Sequence, residues 1–330
     1  MYSSYSSLQQ SQLAAQGYYD TQSTYLLVYA PGRSTALRAT LADQLHRKFR
    51  LADTLGSALT EGVDGVLLVS EDVECMSTAL MCFAKALQDG ADYAVCNAVF
   101  GFGGATALYQ SRAHLAQNRC ALVSRPLLER CRAAAKDPEN VTELLALAAQ
   151  FCAHPARIPQ ALLHYERDIC AEDAFSATGK RAFLMSHVLD MTGAPIVLVS
   201  AVPVLRSMGY EVVVLGPSDG GALQLFVDAG AAVITRPGIR ATPNLWGLAL
   251  CTDLVLVNTV VMARTVRALS GTAVPVLWWL HDAFAGYPHI AHQIPTKLAE
   301  NVRLYSVGHH AANAMHAVRP DFQIGQLIYG

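Results

Sequence analysis

The stretch LMSHVLDMTGAPIVLVSAVPVLRSMGYEVVVLGPSDGG, residues 184–221, decides the fold of the second half of the chain. It reads as the end of a strand, Ala182–Leu189, then a tight turn at Thr192-Gly193-Ala194. A helix from Pro195 to Met208 follows, with Gly209 as its stop, and then a buried strand, Glu211–Leu215. Strand, helix and strand in that order form a crossover unit, which calls for parallel pairing. Pro203 falls inside the helix, where a missing N–H predicts a kink.

The alternation continues downstream. A helix is expected at Gly221–Ala229 and strands at Ala232–Thr235 and Asp253–Asn258. Then come a helix at Val260–Leu269, a strand at Val274–His281, a short helix at Thr296–Asn301, a strand at Val302–Val307 and a helix at His309–Val318. Such a succession predicts a parallel sheet covered on both faces.

The first half is less regular. Strands are expected at Tyr25–Ala30, Gly65–Val69 and Asp92–Val99, with an extended segment at Ala156–Tyr165. Helices are expected over Ala36–Leu59, from a Ser77 cap to about Leu87, and over Asp137–Ala153. The predicted fold class is α/β, with two α/β domains. Residues 1–24, rich in Ser, Gln and Tyr, are expected to be a disordered polar tail, 25–168 a first domain, 169–180 a linker (AEDAFSATGK at its heart), and 181–330 a second domain.

Composition narrows the function. Hydrophobic residues make up 52% of the chain and charged residues 15%, enough apolar material for globular cores. With 24 basic against 26 acidic side chains there is no basic excess of the kind that neutralises nucleic-acid phosphates. The eight cysteines form no CxxC pair and are read as reduced thiols. No apolar run is long enough to span a bilayer, so a cytoplasmic protein is expected, with peripheral membrane contact left open.

In parallel sheets ligands bind beyond the carboxyl ends of the strands, which selects the residues of interest. Gly193 follows the first strand, where its backbone N–H and the helix N-terminus favour an anion; a plain turn glycine is the alternative. His281 and Asp282 end an apolar strand, and Asn258 and Thr259 end the one before it. His289, His292, His309 and His310 fit no common zinc spacing. Gly101-Phe102-Gly103-Gly104 lacks the third glycine of a dinucleotide fingerprint and is read as a loop.

The opening stretch resembles the start of family 4 glycosyltransferases. The turn Thr192-Gly193-Ala194-Pro195 precedes the family's L-x-x-x-G-[YH]-x-V phrase, here Leu205 to Val212. The resemblance runs on through Asp253–Thr259 and Val276–Asp282, over about 150 residues. It implies the N-terminal, Rossmann-like half of a GT-B enzyme. In that reading Thr192, Gly193 and Ala194 face the donor diphosphate and His281 faces the transferred sugar. Asp282 orients that imidazole or binds an acceptor hydroxyl, and Asn258 and Thr259 line the acceptor cleft, with structural capping of the strand end as the alternative. No metal is required there. The phrase Gln326–Gly330 is similar to the family's passage into its second domain. The donor-binding half is therefore expected to be absent from the chain, or supplied by a separate one, and the chain is expected to be inactive alone.

Residues 55–165 resemble the second half of a family 2, GT-A-like transferase. Gly62–Val73 is similar to that family's strand and D-x-D turn, Leu122–Leu128 to its apolar-x-x-Arg element and Ile158–Tyr165 to its closing strand. Ser70 stands where the first Asp belongs, so Glu71 and Asp72 are left as the candidates for Mg²⁺ or Mn²⁺ and the segment reads as degenerate. Together the resemblances imply a tandem glycosyltransferase of polysaccharide biosynthesis, acting on a nucleotide-sugar donor and a glycan acceptor. The alternative is a non-catalytic scaffold or accessory subunit.

Overall fold

The computed structural model describes residues 21–328 except 33–34, 57–58, 60–61, 103–104, 111–118, 176–178, 219 and 240–245. The fold is mixed α/β. The chain divides into two compact units, Met1–Val99 with His114–Glu166 and Phe100–Ala113 with Arg167–Gly330.

The first unit is built on β1 (Leu26–Tyr29), α1 (Thr35–Leu41), β2 (Phe49–Ala52), β3 (Gly65–Val69), β4 (Glu74–Cys75), α2 (Ala79–Gln88), β5 (Tyr93–Phe102), β7 (Cys120–Ser124), α3 (Arg125–Ala134), α4 (Val141–Phe151) and β8 (Pro155–Asp168). Its strand order is β2-β1-β3-β7-β5. β1 runs parallel to β2 and β3, and β7 runs antiparallel to β3 and β5. β4 pairs antiparallel with β8. β1, β3 and β7 are buried at every position, as strands covered on both faces should be. One face packs Leu27, Tyr29, Val66, Leu68 and Val123 against Leu127, Leu128, Leu144 and Leu145 of α3 and α4.

In the second unit, β9 (Lys180–Met185), α5 (Gly193–Ser207), β10 (Tyr210–Gly216), α6 (Leu223–Asp228), β11 (Ala232–Thr235), β12 (Leu254–Asn258), α7 (Ala263–Leu269), β13 (Val276–Leu280), β14 (Val302–Ser306), α8 (His309–His316) and β15 (Gly325–Gln326) alternate. The seven strands β9 to β15 are all parallel, in the order β15-β14-β13-β12-β9-β10-β11. A strand from the 100–113 segment, β6 (Ala105–Gln110), adds antiparallel to β11. The chain winds outward from β9 through β10 and β11, then returns to β12 on the other side of β9. Loops therefore diverge above β9 and β12, and a crevice opens at their carboxyl ends. Leu198, Val202 and Leu205 of α5 close one face over Leu184, Val214, Leu256 and Trp279.

Several expectations change. The helix over Ala36–Leu59 stops at Leu41, because Phe49–Ala52 is drawn into parallel pairing with β1. Thr296–Asn301 is not helical. The Asn301 amide instead bonds the carbonyls of Leu269 and Val274, at 2.9 and 2.8 Å, and fixes the segment as a connection. Gly101 and Phe102 close β5 rather than opening a loop, while Gly103 and Gly104 lie outside the described residues. Thr78, not Ser77, is the N-cap of α2. Thr21 and Thr24 are buried, with Thr21 Oγ1 3.2 Å from His46 Nδ1, so packing begins before Tyr25. All eight cysteines are free.

Candidate functional site at the carboxyl edge of the parallel sheet

β9 ends at Met185, earlier than its apolar run suggested, and residues 186–192 form a loop. Leu189, expected in the strand, is instead a buried anchor of that loop: its carbonyl accepts the Ala222 N–H at 2.8 Å. A Cβ on Gly216 would stand 2.4 Å from the Leu189 side chain and one on Gly220 2.3 Å from its carbonyl oxygen. These two glycines are needed for close packing. Gly193 is different. It is the first residue of α5, its φ is not left-handed, and a Cβ there would meet nothing within 4 Å. Neither backbone angle nor packing calls for glycine, and the space beside it is open. Thr192, the N-cap, makes no side-chain capping bond.

Across the crevice, Asn258 is fully buried at the end of β12, and its Nδ2 donates to the Ala194 carbonyl at 3.1 Å. Its Oδ1 has no protein partner. Thr259 follows with φ 70°, the one non-glycine residue with positive φ among the described residues. For a β-branched residue that conformation costs on the order of 1–3 kcal/mol and must be held in place. Three bonds hold it. The Thr259 N–H donates to Trp279 O at 2.8 Å, Trp278 Nε1 donates to Thr259 O at 2.8 Å, and the Val260 N–H donates to Asp282 Oδ2 at 2.6 Å. The result brings Thr259 Oγ1 to 3.3 Å from His187 Nδ1.

His281 follows β13, its ring centroid 4.8 Å from that of Trp279, and its buried Nε2 lacks a protein partner. Burial, and secondarily the nearby His187, pulls the His281 pKa down to about 4, so the imidazole is neutral at pH 7. Burial raises the Asp282 carboxyl, against the opposing hydrogen bond from the Val260 N–H. The next strand end, Ser306, also buries a hydroxyl without a protein partner.

The structure thus brings Thr192, Gly193, Ala194, Asn258, Thr259, His281 and Asp282 to one edge of one sheet. His187 was missed in the sequence because the expected strand ran to Leu189 and enclosed it. In the first unit, Asp72 accepts the Leu37 and Ala36 N–H groups of α1 at 3.2 and 3.3 Å. Ser70 Oγ donates to Arg119 O at 3.0 Å, and the Tyr165 hydroxyl has its pKa raised chiefly by burial, with nearby Glu71 a minor contributor.

Residues 178–316 match the model of glycosyl-transferase family 4. The matched segment lies wholly within the second unit and contains every strand of the crevice. No curated protein matches the chain. Among solved structures, the chain is similar to an alpha-glucosyltransferase in complex with UDP-glucose and DNA containing an abasic site. The identity is 12% and the TM-score 0.31, over 45% of this chain and 42% of that one. So slight an overlap places no ligand here. No helix among the described residues is long and apolar enough to cross a membrane.

Proposed function

We propose that the second unit is the acceptor-side half of a GT-B glycosyltransferase, which transfers a hexose from a nucleotide sugar to a glycan acceptor in polysaccharide biosynthesis. The observation that carries this reading is the coincidence of the family 4 match with the crevice between β9 and β12. Thr192, Gly193 and Ala194 present the open N-terminus of α5 to the donor diphosphate, where the helix favours negative charge. Neutral His281 hydrogen-bonds a sugar hydroxyl. Asp282 fixes the Val260 N–H, and through it Thr259, so its part is to position the crevice. Asn258 and Thr259 line the acceptor side. A donor-binding domain, in the same polypeptide or a separate chain, completes the cleft, in a cytoplasmic setting with peripheral membrane contact. This half requires no metal.

In the same proposal the first unit is a degenerate GT-A-like segment. Mg²⁺ or Mn²⁺ at Glu71 and Asp72 would compete with α1 for the Asp72 carboxylate. That commitment, with Ser70 in place of a carboxylate, favours a second reading in which the chain is a non-catalytic accessory subunit.

Titration with UDP and GDP separates the two. Saturable binding weakened by Gly193→Val, with sugar transfer once the donor-binding domain is present, supports the enzyme. Silence toward both nucleotides in the complete assembly supports the accessory role.

A further inference from the structure

The first unit carries a groove away from both strand-end crevices and outside the residues matched to family 4. It lies between the last turn of α2 and the start of β8 and has a volume of about 570 Å³. Buried Cys82 and Ile158 line its apolar part, and Lys85, Asp89, His154 and Arg157 its polar part. Val123 of β7 stands opposite both Tyr93, which opens β5, and Val66, near the start of β3. The groove therefore sits at the amino edge of these strands, at the opposite end from the turn at 70–74.

Its walls are fixed from behind. Asn97 interrupts the apolar run of β5 and is only 3% exposed. Its Nδ2 donates to the Pro159 carbonyl at 2.6 Å, and its Oδ1 accepts from Arg157, so a buried amide anchors the guanidinium. Asp92 accepts the Ala153 and His154 N–H groups at 2.8 and 2.9 Å, which orders the backbone that carries His154. A group anchored before its ligand arrives loses less freedom on binding.

The charge of the groove suits an anion. Lys85 and Arg157 stand against one acid in the walls, Asp89, which pairs with Lys85 one helical turn away. A solvent-exposed pair of that kind is weak and gives way to a stronger partner. The carbonyls of Lys85, Ala86 and Leu87 accept the N–H groups of Asp89, Ala91 and Gly90, which closes off the negative end of α2.

A carboxylate offers two oxygens in one plane, which a single guanidinium matches. A phosphomonoester carries three oxygens and a charge of about −1.5 to −2 at pH 7, and uses the donors of Lys85 and His154 as well. The volume exceeds that of a bare phosphate and falls within the roughly 300–1,000 Å³ of small-molecule sites.

We propose that this groove is a second binding site, which takes a small organic phosphomonoester. The phosphate lies against Arg157, Lys85 and His154, and the uncharged body rests on Cys82 and Ile158. The site is independent of the glycosyl-transfer reading and stands whether or not that reading does.

The test is calorimetric titration of the purified chain with glycerol 3-phosphate, glucose 6-phosphate and AMP, with inorganic phosphate and succinate in parallel. At least one organic ester should bind saturably and more tightly than inorganic phosphate, with succinate silent. Lys85→Gln should weaken that binding about tenfold, and Arg157→Gln at least as much. Asp89→Asn removes the acid from the walls and should tighten binding by about two- to fivefold. Lys85 and Asp89 lie outside the buried core, so these two variants decide the matter should Arg157→Gln unfold. Amide shifts with the bound ester should fall at 85–91 and 153–159. The proposal is overturned by no saturable binding of any ester, by inorganic phosphate or succinate binding as tightly, or by unchanged affinity in both Lys85→Gln and Asp89→Asn. Shifts confined to 192–194 would overturn it too, since they would place the phosphate at the N-terminus of α5.

Discussion

Both units open a crevice by the same construction, and among the described residues they differ in what the polar groups at its edge bond to. In the first unit the chain winds from β1 to β2 on one side and to β3 on the other, so loops diverge above β1 and β3. Those loops close on themselves. Asp72 takes two N–H groups of α1, and both the N–H and Oγ of Ser70 bond Arg119 O, at 2.9 and 3.0 Å. Just beyond, Glu74 pairs with His164 at 2.7 Å. In the second unit Asn258 Oδ1 and His281 Nε2 are buried without protein partners, and the space beside Gly193 is open. A strand-order switch supplies a crevice. Whether it is a site depends on whether internal bonds consume its polar groups.

The comparison can be broken in several ways, with effects of decreasing size. Trp278 is fully buried and anchors Thr259, so Trp278→Ala should cost about 4 kcal/mol in urea unfolding and abolish ligand response. A loss under about 1 kcal/mol would mean that the strained turn is not held as described.

Acid should destabilise the second unit through His281. The unfolded chain binds a proton there below the ordinary 6.5, whereas the folded one resists until about 4. The contribution of this residue is constant above pH 6.5 and is lost as pH falls toward 4, by on the order of 2–3 kcal/mol. Asp282 acts in the opposite sense: its raised pKa means that the folded state holds a proton the unfolded chain has lost, which adds stability as pH falls. Denaturation curves of wild type and His281→Phe across this range should differ in slope, and equal slopes would refute the assignment.

Three substitutions sharpen the contrast between packing and binding. Gly220→Ala drives a Cβ into the Leu189 carbonyl and should cost about 1–3 kcal/mol. Asp72→Ala removes two bonds to α1 and should cost about 1 kcal/mol without changing any ligand affinity. Gly193→Ala meets nothing and lies in a helix, so it should stabilise the fold by about 0.4–1 kcal/mol while weakening ligand binding. Thermal melts and binding isotherms on the same samples check all three.

Much of the second unit was legible because its signals are local. Gly209 marks the end of α5, and the apolar runs at 211–215, 232–235, 254–258 and 276–280 match buried strands. The placement of Gly193, Asn258 and His281 on one edge followed from parallel pairing alone. What escaped depends on contacts distant in sequence. β2 forms because β1 is there to pair with, and Asp72 caps a helix that begins 37 residues before it. The left-handed Thr259 exists only because Trp278, Trp279 and Asp282 hold it. His187 becomes a site residue only once β9 is seen to end at Met185.

The most direct test of the contrast between the units is an amide ¹H–¹⁵N map of the chain titrated with a nucleotide sugar and a methyl glycoside together. The account predicts shifts clustered at residues 186–194, 258–260 and 281–282, with 35–37 and 70–74 unmoved. Shifts confined to the first unit, with the carboxyl edge of the parallel sheet silent, would contradict it.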